Sequence, residues 1–412
     1  MSRRWPLIVL LMTAVATDAR AQTESGRTWK REVVRSATLG KRTIYVATPD
    51  GYEHGTQRYP VCIVLDAEEK PLFELALSQA AYLADNDAAV PGMVVVGIVN
   101  GGDRIHDMTP PAQGSSRAEF PNAGGAAAFA DFIVGTVVPT IRSRYRTLPT
   151  TVLVGHSAAG LFALYAAATR PGAFQGVVAI SPALWFNDSL PARDFADRIA
   201  TSAETIRIFS ASGGREPGID ITTRRFAERL ESVRNSTVSV MYRQYANDTH
   251  ALTPASALAT GLRFVFESVW PQRLPIASIT KGADSAAVVQ ALAASEEMYA
   301  DSARALHLPK ELPERPVDHL GYWALAAGNA GLALHVFRRN VALHPESATA
   351  HASLADAYLA KRDTAAAVDE LQRAVRIWRA TGAELSAVSR RKLQLLARSA
   401  HTKPVLESHP RQ

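Results

Sequence analysis

Apolar residues run almost unbroken through 60–65 and 93–99, the pattern of short strands buried on both faces of a parallel sheet. Before them, the alternation across 28–52 predicts a β-hairpin, with Leu39-Gly40-Lys41 at the turn and Pro49-Asp50-Gly51 closing the second strand. Helical periodicity follows at 72–83 and 126–145. A β-branched run at 151–154 leads, past a turn at Gly155–Gly160, into a helix carrying Leu161, Leu164 and Tyr165. Further strands are expected at 177–180, 206–210 and 238–245, with helices near 222–233 and 256–269. Strands alternating with helices in this way predict an α/β chain with a mostly parallel sheet.

The pattern changes after a proline-bearing stretch at 271–284, which reads as a linker, and beyond it only helical spacing persists. Leu320, Gly321, Ala333, Phe337 and Pro345 fall on tetratricopeptide positions. Thirty-four residues later Leu354, Ala355, Ala367 and Leu371 repeat them, with Tyr358 and Ala374 on further signature positions and Arg379 where the motif expects proline. Small residues at these sites let the helices of a pair approach closely. Since an array of this kind needs about three units, helices at 286–306 and 384–398 are expected to complete the stack.

Composition adds a compartment. Arg3 and Arg4, an apolar run over 5–17 and Ala19-Arg20-Ala21 read as a leader cleaved before Gln22. The run is too short for the ~20 residues of a bilayer span, so a periplasmic or secreted protein is expected, with no membrane span once the leader is gone. The formal charge of +6 loses three arginines and one aspartate with the leader, leaving +4. A balance this modest gives no reason to expect nucleic acid, and the late basic residues read as a solvated helix face. Cys62 is the single cysteine, which excludes an intramolecular disulfide, and its apolar setting reads as core.

Candidate chemistry centres on Ser157. Strand, sharp turn and helix are the context of a nucleophile elbow, G-x-S-x-G, although here Ala159 takes the last position and the glycine moves to Gly160. A serine needs a base, an orienting acid and donors for the oxyanion. In α/β-hydrolases the chain order is Ser, acid, His. His250, after the last strand, fits the base, because His54, His106 and His156 all precede the serine. The acid is Glu216 in the first reading, with Asp220, Asp248 or a Ser-His dyad left open. The backbone N–H groups of Ala158 and Ala67 are the expected oxyanion donors. Arg104 and Trp185, on loops at strand ends, are candidate substrate contacts, and Asp107 is expected to serve its own turn. Asp103, His106 and Asp107 in one short loop lack a fourth metal ligand, so no metal is expected. Serine chemistry requires no cofactor.

The stretch GHSAAGLFALYAAATRPGAFQGVVAISPALWFND resembles the elbow region of the putative-esterase branch of α/β-hydrolases, which includes siderophore esterases. YPVCIVLDAEE is similar to the family's strand ending in Leu-Asp-Gly, RIHDMTPP to its Arg-x-x-Asp-x-Thr-Pro loop, and DTHALTPASALATGLRFVF to its histidine loop and final helix. The resemblance runs from about Ser36 to Phe266 and implies Ser157 as nucleophile and His250 as base. Ala67 and Ala159 both replace glycines usual in the family.

The expected organisation is a leader at 1–21, an α/β-hydrolase esterase domain at 22–272, a linker and leading helix at 273–318, tetratricopeptide-like repeats at 319–400 and a tail at 401–412. The expected function is an exported serine hydrolase acting on small-molecule carboxylic esters, siderophore-type esters among them, with a protein partner at the repeats. A catalytically silent periplasmic scaffold is the alternative. Acyl transfer to an acceptor other than water is a variant that chain order leaves open.

Overall fold

The computed structural model describes residues 21–23, 28–54, 56–68, 70–85, 89–267 and 284–381. Residues 1–20 of the expected leader, most of the expected linker and the expected closing helix at 384–398 lie outside the described residues. Nine strands form one sheet: β1 (Ala21–Thr23), β2 (Thr28–Ser36), β3 (Gly40–Ala47), β4 (Tyr59–Val64), β5 (Val94–Ile98), β6 (Thr147–His156), β7 (Gly176–Ile180), β8 (Ile206–Gly213) and β9 (Val238–Tyr245). Their spatial order is β1-β2-β3-β5-β4-β6-β7-β8-β9. The β2–β3 hairpin pairs antiparallel and joins the edge of β5 antiparallel, while β5 through β9 are parallel.

Alternation along the central strands divides the interior in two. Val61, Ile63, Val94, Val96, Leu153, Val177 and Ile208 face one layer, built with the helices Ala158–Thr169, Leu190–Ala200 and Pro217–Val233 and the helical stretch Ala126–Arg144. Cys62, Val64, Val95, Val152, Val154, Val178 and Phe209 face the other, with the helices Lys70–Asp85 and Thr253–Phe266. Parallel strands joined through helices on both faces bury both sides, which is why their sequences read as continuous apolar runs. Cys62 is among these core residues, and burial pushes its thiol up to about 12.

The helix expected at 126–145 contains a widened turn at Ile133–Val137. Pro139 lacks an N–H and would crowd the carbonyl of Gly135, and a π-turn relieves both. Ala126–Arg144 has the length and composition of a membrane span. Its Phe129, Ile133, Val137 and Ile141 nevertheless lie in the core against the sheet. The helix Leu190–Ala200 was not expected from the sequence, although Ala192, Phe195, Ala196 and Ile199 give it a buried stripe.

After residue 284 come the helices Ser285–Ala305, Glu314–Ala326, Ala330–Leu343, Ala348–Ala360 and Thr364–Ala380. Asp284, Asn329, Ser347 and Asp363 cap four of them by accepting from backbone N–H groups in the first turn. A side chain at Gly321 would meet the Phe337 ring at 2.3 Å, so the glycine sets the closeness of that helix pair. The first of these helices and the pair after it share an apolar cluster with Leu77, Leu83 and Ala84 of the α/β domain. Thr150 Oγ1 donates to the Leu306 carbonyl at 2.6 Å, and Arg315 Nη1 donates to the Ala84 carbonyl and Asp85 Oδ1 at 2.9 and 2.6 Å. Thr150 lies in the first half of β6, so the helices dock at the end of the sheet where the parallel strands begin.

Candidate active site

The opposite end of the sheet gathers the loops that follow β4 to β9, where the parallel α/β arrangement leaves a crevice. Ser157 ends β6 at φ 61°, ψ −121° and leads directly into the helix Ala158–Thr169. A positive φ at a non-glycine residue costs roughly 1–3 kcal/mol and is held here by three backbone bonds. Ser157 N–H donates to the Ile180 carbonyl at 3.0 Å, and its own carbonyl accepts from Leu161 and Ala183 at 3.0 and 3.1 Å. A Cβ at Gly155 would sit 2.2 Å from the Ala159 carbonyl oxygen, and one at Gly160 would sit 3.0 Å from Pro182 Cα. The close approach of helix to strand is therefore made at Gly155 and Gly160. Ala159 points its methyl into the core, fully buried.

Glu216 stands just before the helix Pro217–Val233 in the turn after β8, and His250 follows β9. His250 Nδ1 lies 2.6 Å from Glu216 Oε2. The acid is 8% exposed and the imidazole 41%, so the pair is anchored at the carboxylate and open at the ring. The other oxygen, Glu216 Oε1, accepts from Ser181 Oγ and from the Gly213 N–H, each at 2.5 Å. Ser181 is fully buried at the end of β7. Thr253 Oγ1 adds a longer bond to the same oxygen at 3.5 Å, and these donors leave the second oxygen to His250.

Of the competing carboxylates, Asp220 is occupied elsewhere and Asp248 has no bond to His250 among the described residues. Asp220 accepts from Ser212 Oγ at 2.8 Å, from Tyr242 and from Arg224 Nη2 at 2.5 Å. Burial alone would raise its pKa, but the hydrogen bonds from Tyr242, Ser212 and Arg224 bring it below the usual value. The Asp248 carbonyl accepts from Arg215 N–H at 3.1 Å, while its carboxylate oxygen Oδ2 is buried without a partner.

Three expectations change. Ala67 N–H donates to the Ile98 carbonyl at 3.0 Å, so it is engaged in the backbone and not turned to an oxyanion. The extra methyl of Ala67 is accommodated by Gly97, where a Cβ would come within 2.7 Å of it. Arg104 is committed to Asp66, its Nε and Nη2 donating to the two carboxylate oxygens at 2.9 and 2.7 Å. Asp66 itself sits at φ 58°, so the ion pair pins a strained turn and leaves Arg104 no open fork for substrate. Asp107 pairs with buried Arg42 on β3 at 2.8 Å instead of serving its own turn. The stretch read as a loop forms the short helix Arg104–Met108, which Asp103 caps by accepting from His106 N–H, and His106 Nδ1 donates to the Asn122 carbonyl at 2.7 Å.

Trp185 is 39% exposed and stands 5.9 Å from the Phe120 ring, two residues beyond the Ala183 N–H that holds the Ser157 carbonyl. Its loop is fixed to 111–116 through Asn187, which receives the Gln113 N–H at 2.8 Å and donates to the Pro111 carbonyl at 3.0 Å. Phe120 was not anticipated, because its contact with Trp185 spans two loops far apart in sequence.

A family model described as Putative esterase matches residues 36–258, more than half of the chain. The chain belongs to this esterase family. It is 32% identical over 142 residues to a siderophore triacetylfusarinine C esterase of Aspergillus fumigatus, covering 32% of this chain and 47% of that protein. The match thus spans about half of that relative's length. Identity to the ferri-bacillibactin esterase BesA of Bacillus subtilis is 25% over 236 residues, covering 52% of this chain and 81% of the relative. An IroE-like serine hydrolase from Shewanella oneidensis superposes with a TM-score of 0.61 at 22% identity, covering 76% of this chain and 98% of the other. The esterase family's fold is the α/β-hydrolase fold, here followed by a helical region.

Proposed function

We propose that this esterase-family chain is an exported serine esterase that hydrolyses small-molecule carboxylic esters through an acyl-enzyme. The observation that carries the reading is the 2.6 Å contact of His250 with buried Glu216 at the sheet end that also presents the strained Ser157 elbow. His250 donates from Nδ1 to Glu216, which leaves Nε2 as the basic nitrogen. In this scheme Nε2 takes the Ser157 Oγ proton as Oγ attacks the ester carbonyl carbon. The carbonyl oxygen becomes the oxyanion and accepts from the Ala158 N–H, which heads a helix and has no acceptor within it. Collapse breaks the ester C–O bond, and the alcohol leaves with the proton held by His250. Water then adds to the acyl carbon by the same route, releasing the acid and restoring Ser157.

Siderophore-type esters are the proposed substrates, supported by the names of the two curated relatives. The aromatic surface of Trp185 and Phe120 beside the elbow suits a substrate with planar groups. The helical region is proposed as a tetratricopeptide-like module that holds a protein partner. The test is fluorophosphonate labelling together with hydrolysis of short p-nitrophenyl esters and siderophore lactones, before and after Ser157→Ala. Loss of both signals is expected. Undiminished hydrolysis by the Ser157→Ala protein overturns the proposal, and a wild-type chain that neither labels nor hydrolyses supports a silent scaffold instead.

A further inference from the structure

The residue immediately before the proposed nucleophile has no step in the scheme above. His156 is half-buried, and its Nε2 lies 3.0 Å from the main-chain carbonyl oxygen of His250. A carbonyl only accepts, so Nε2 carries the proton and donates. The His156 ring also rests against the His250 ring, with centroids 4.5 Å apart and planes inclined by 38°. On its other side the His156 carbonyl accepts from Arg104 Nη2 at 3.4 Å, and Arg104 is fixed to Asp66. The loop after β4, the elbow and the loop after β9 are therefore joined through this one residue.

Resting on the assignment of His250 as the base, we propose that His156 is a positioning residue: it fixes the His250 main chain while Glu216 fixes the ring. Glu216 constrains the ring at one nitrogen, and the loop after β9 is held beside it at the Asp248 carbonyl by Arg215 N–H and at the Thr249 carbonyl by Thr253 N–H. The bond from His156 is made at the His250 carbonyl itself, so it fixes the peptide that carries the base. Burial, and secondarily the neighbouring His250, lower the His156 pKa to about 4. The ring beside the base is thus neutral when the base charges, and it does not repel the imidazolium that forms during the reaction.

The test compares His156→Ala, His156→Gln and His156→Phe for p-nitrophenyl acetate hydrolysis, with melting temperature measured alongside. A glutamine amide nitrogen reaches the position of Nε2 and donates as it does, whereas phenylalanine keeps a ring and has no donor. Displacing a catalytic group by about 1 Å costs on the order of 100-fold. The expected result is a kcat lowered roughly 10- to 100-fold in the alanine and phenylalanine proteins, with KM unchanged and most of the loss recovered by glutamine. An alanine protein with parental kcat overturns the proposal, as does a glutamine protein no better than the phenylalanine one. Should the alanine protein fail to fold, the glutamine–phenylalanine comparison decides alone. Ser157→Ala is run in parallel: if it hydrolyses normally, the acyl-enzyme reading itself fails, whatever the His156 variants do.

Discussion

Glu216, Asp220 and Asp248 share one chemistry, and what separates them is the set of atoms each touches. Glu216 presents an oriented oxygen to His250, while Asp220 is spent on Tyr242, Ser212 and Arg224. Glu216→Gln is expected to lower kcat by up to about 10⁴-fold, the loss on replacing the orienting acid of a triad, and Asp220→Asn to leave kcat within a few-fold. Steady-state hydrolysis by the two proteins checks this, and the reverse ranking would move the acid. Ser181→Ala, which removes one of the two shortest hydrogen bonds to Glu216 Oε1, is expected to give a smaller loss in kcat with KM unchanged. The proposed roles of Ser157 and His250 come from the sequence because strand–turn–helix patterning and chain order are linear signals. The choice among the three carboxylates does not, since it depends on how the turn after β8 folds back. His156 and Ser181 left no trace either, because their partners lie 94 and 35 residues away and one of those partners is a main-chain oxygen. Arg104 was read as a substrate contact from residue type and loop position alone, and neither reveals that Asp66 already fills its fork.

Among the elements, the strands were the most legible, since burial on both faces writes itself as unbroken apolar runs. The helix Leu190–Ala200 was harder to see because three of its positions on the buried face are alanines, at 192, 196 and 200, which dilute the pattern. At the elbow, the glycine displaced to position 160 is the one whose missing side chain the packing uses. Ala159→Gly restores the family's usual residue, and is expected to lose stability by about 1–2 kcal/mol, from one buried methyl and the backbone freedom of glycine in a helix. Activity is expected to stay near parental, so thermal melts and kinetics together check the point. In the helical region Asp318 is 9% exposed, with Oδ1 buried and unpartnered. Burial, only partly offset by a hydrogen bond from Ser353, pushes its pKa from 3.8 to about 7. A carboxyl whose folded pKa is raised keeps its proton while the unfolded chain loses it. Its contribution to stability is therefore intact below about pH 4 and is lost progressively as pH rises to about 7, by at most roughly 4 kcal/mol. Asp318→Asn is expected to raise the melting temperature at pH 8 and leave it nearly unchanged at pH 4.

At the scale of the whole molecule, the helices after residue 284 and the α/β domain share one apolar cluster. A chain ending at Glu267 would expose that face of the helix Lys70–Asp85. It is expected to bind a hydrophobic dye and melt well below the full chain, whereas a soluble fragment with the parental melting temperature would show the two parts to be independent. The helical character after residue 284 was visible in the sequence, but the docking was not: it runs through Thr150, Arg315 and carbonyl oxygens, whose residue types announce no partner. Thr150 lies within β6 and Ser157 just beyond its end, seven residues apart, which at ~3.3 Å per residue places the docking contact about 23 Å behind the proposed nucleophile. One strand thus separates the anchorage of the helices from the elbow. Whatever the helices hold would lie behind the sheet and leave the Ser157 end uncovered.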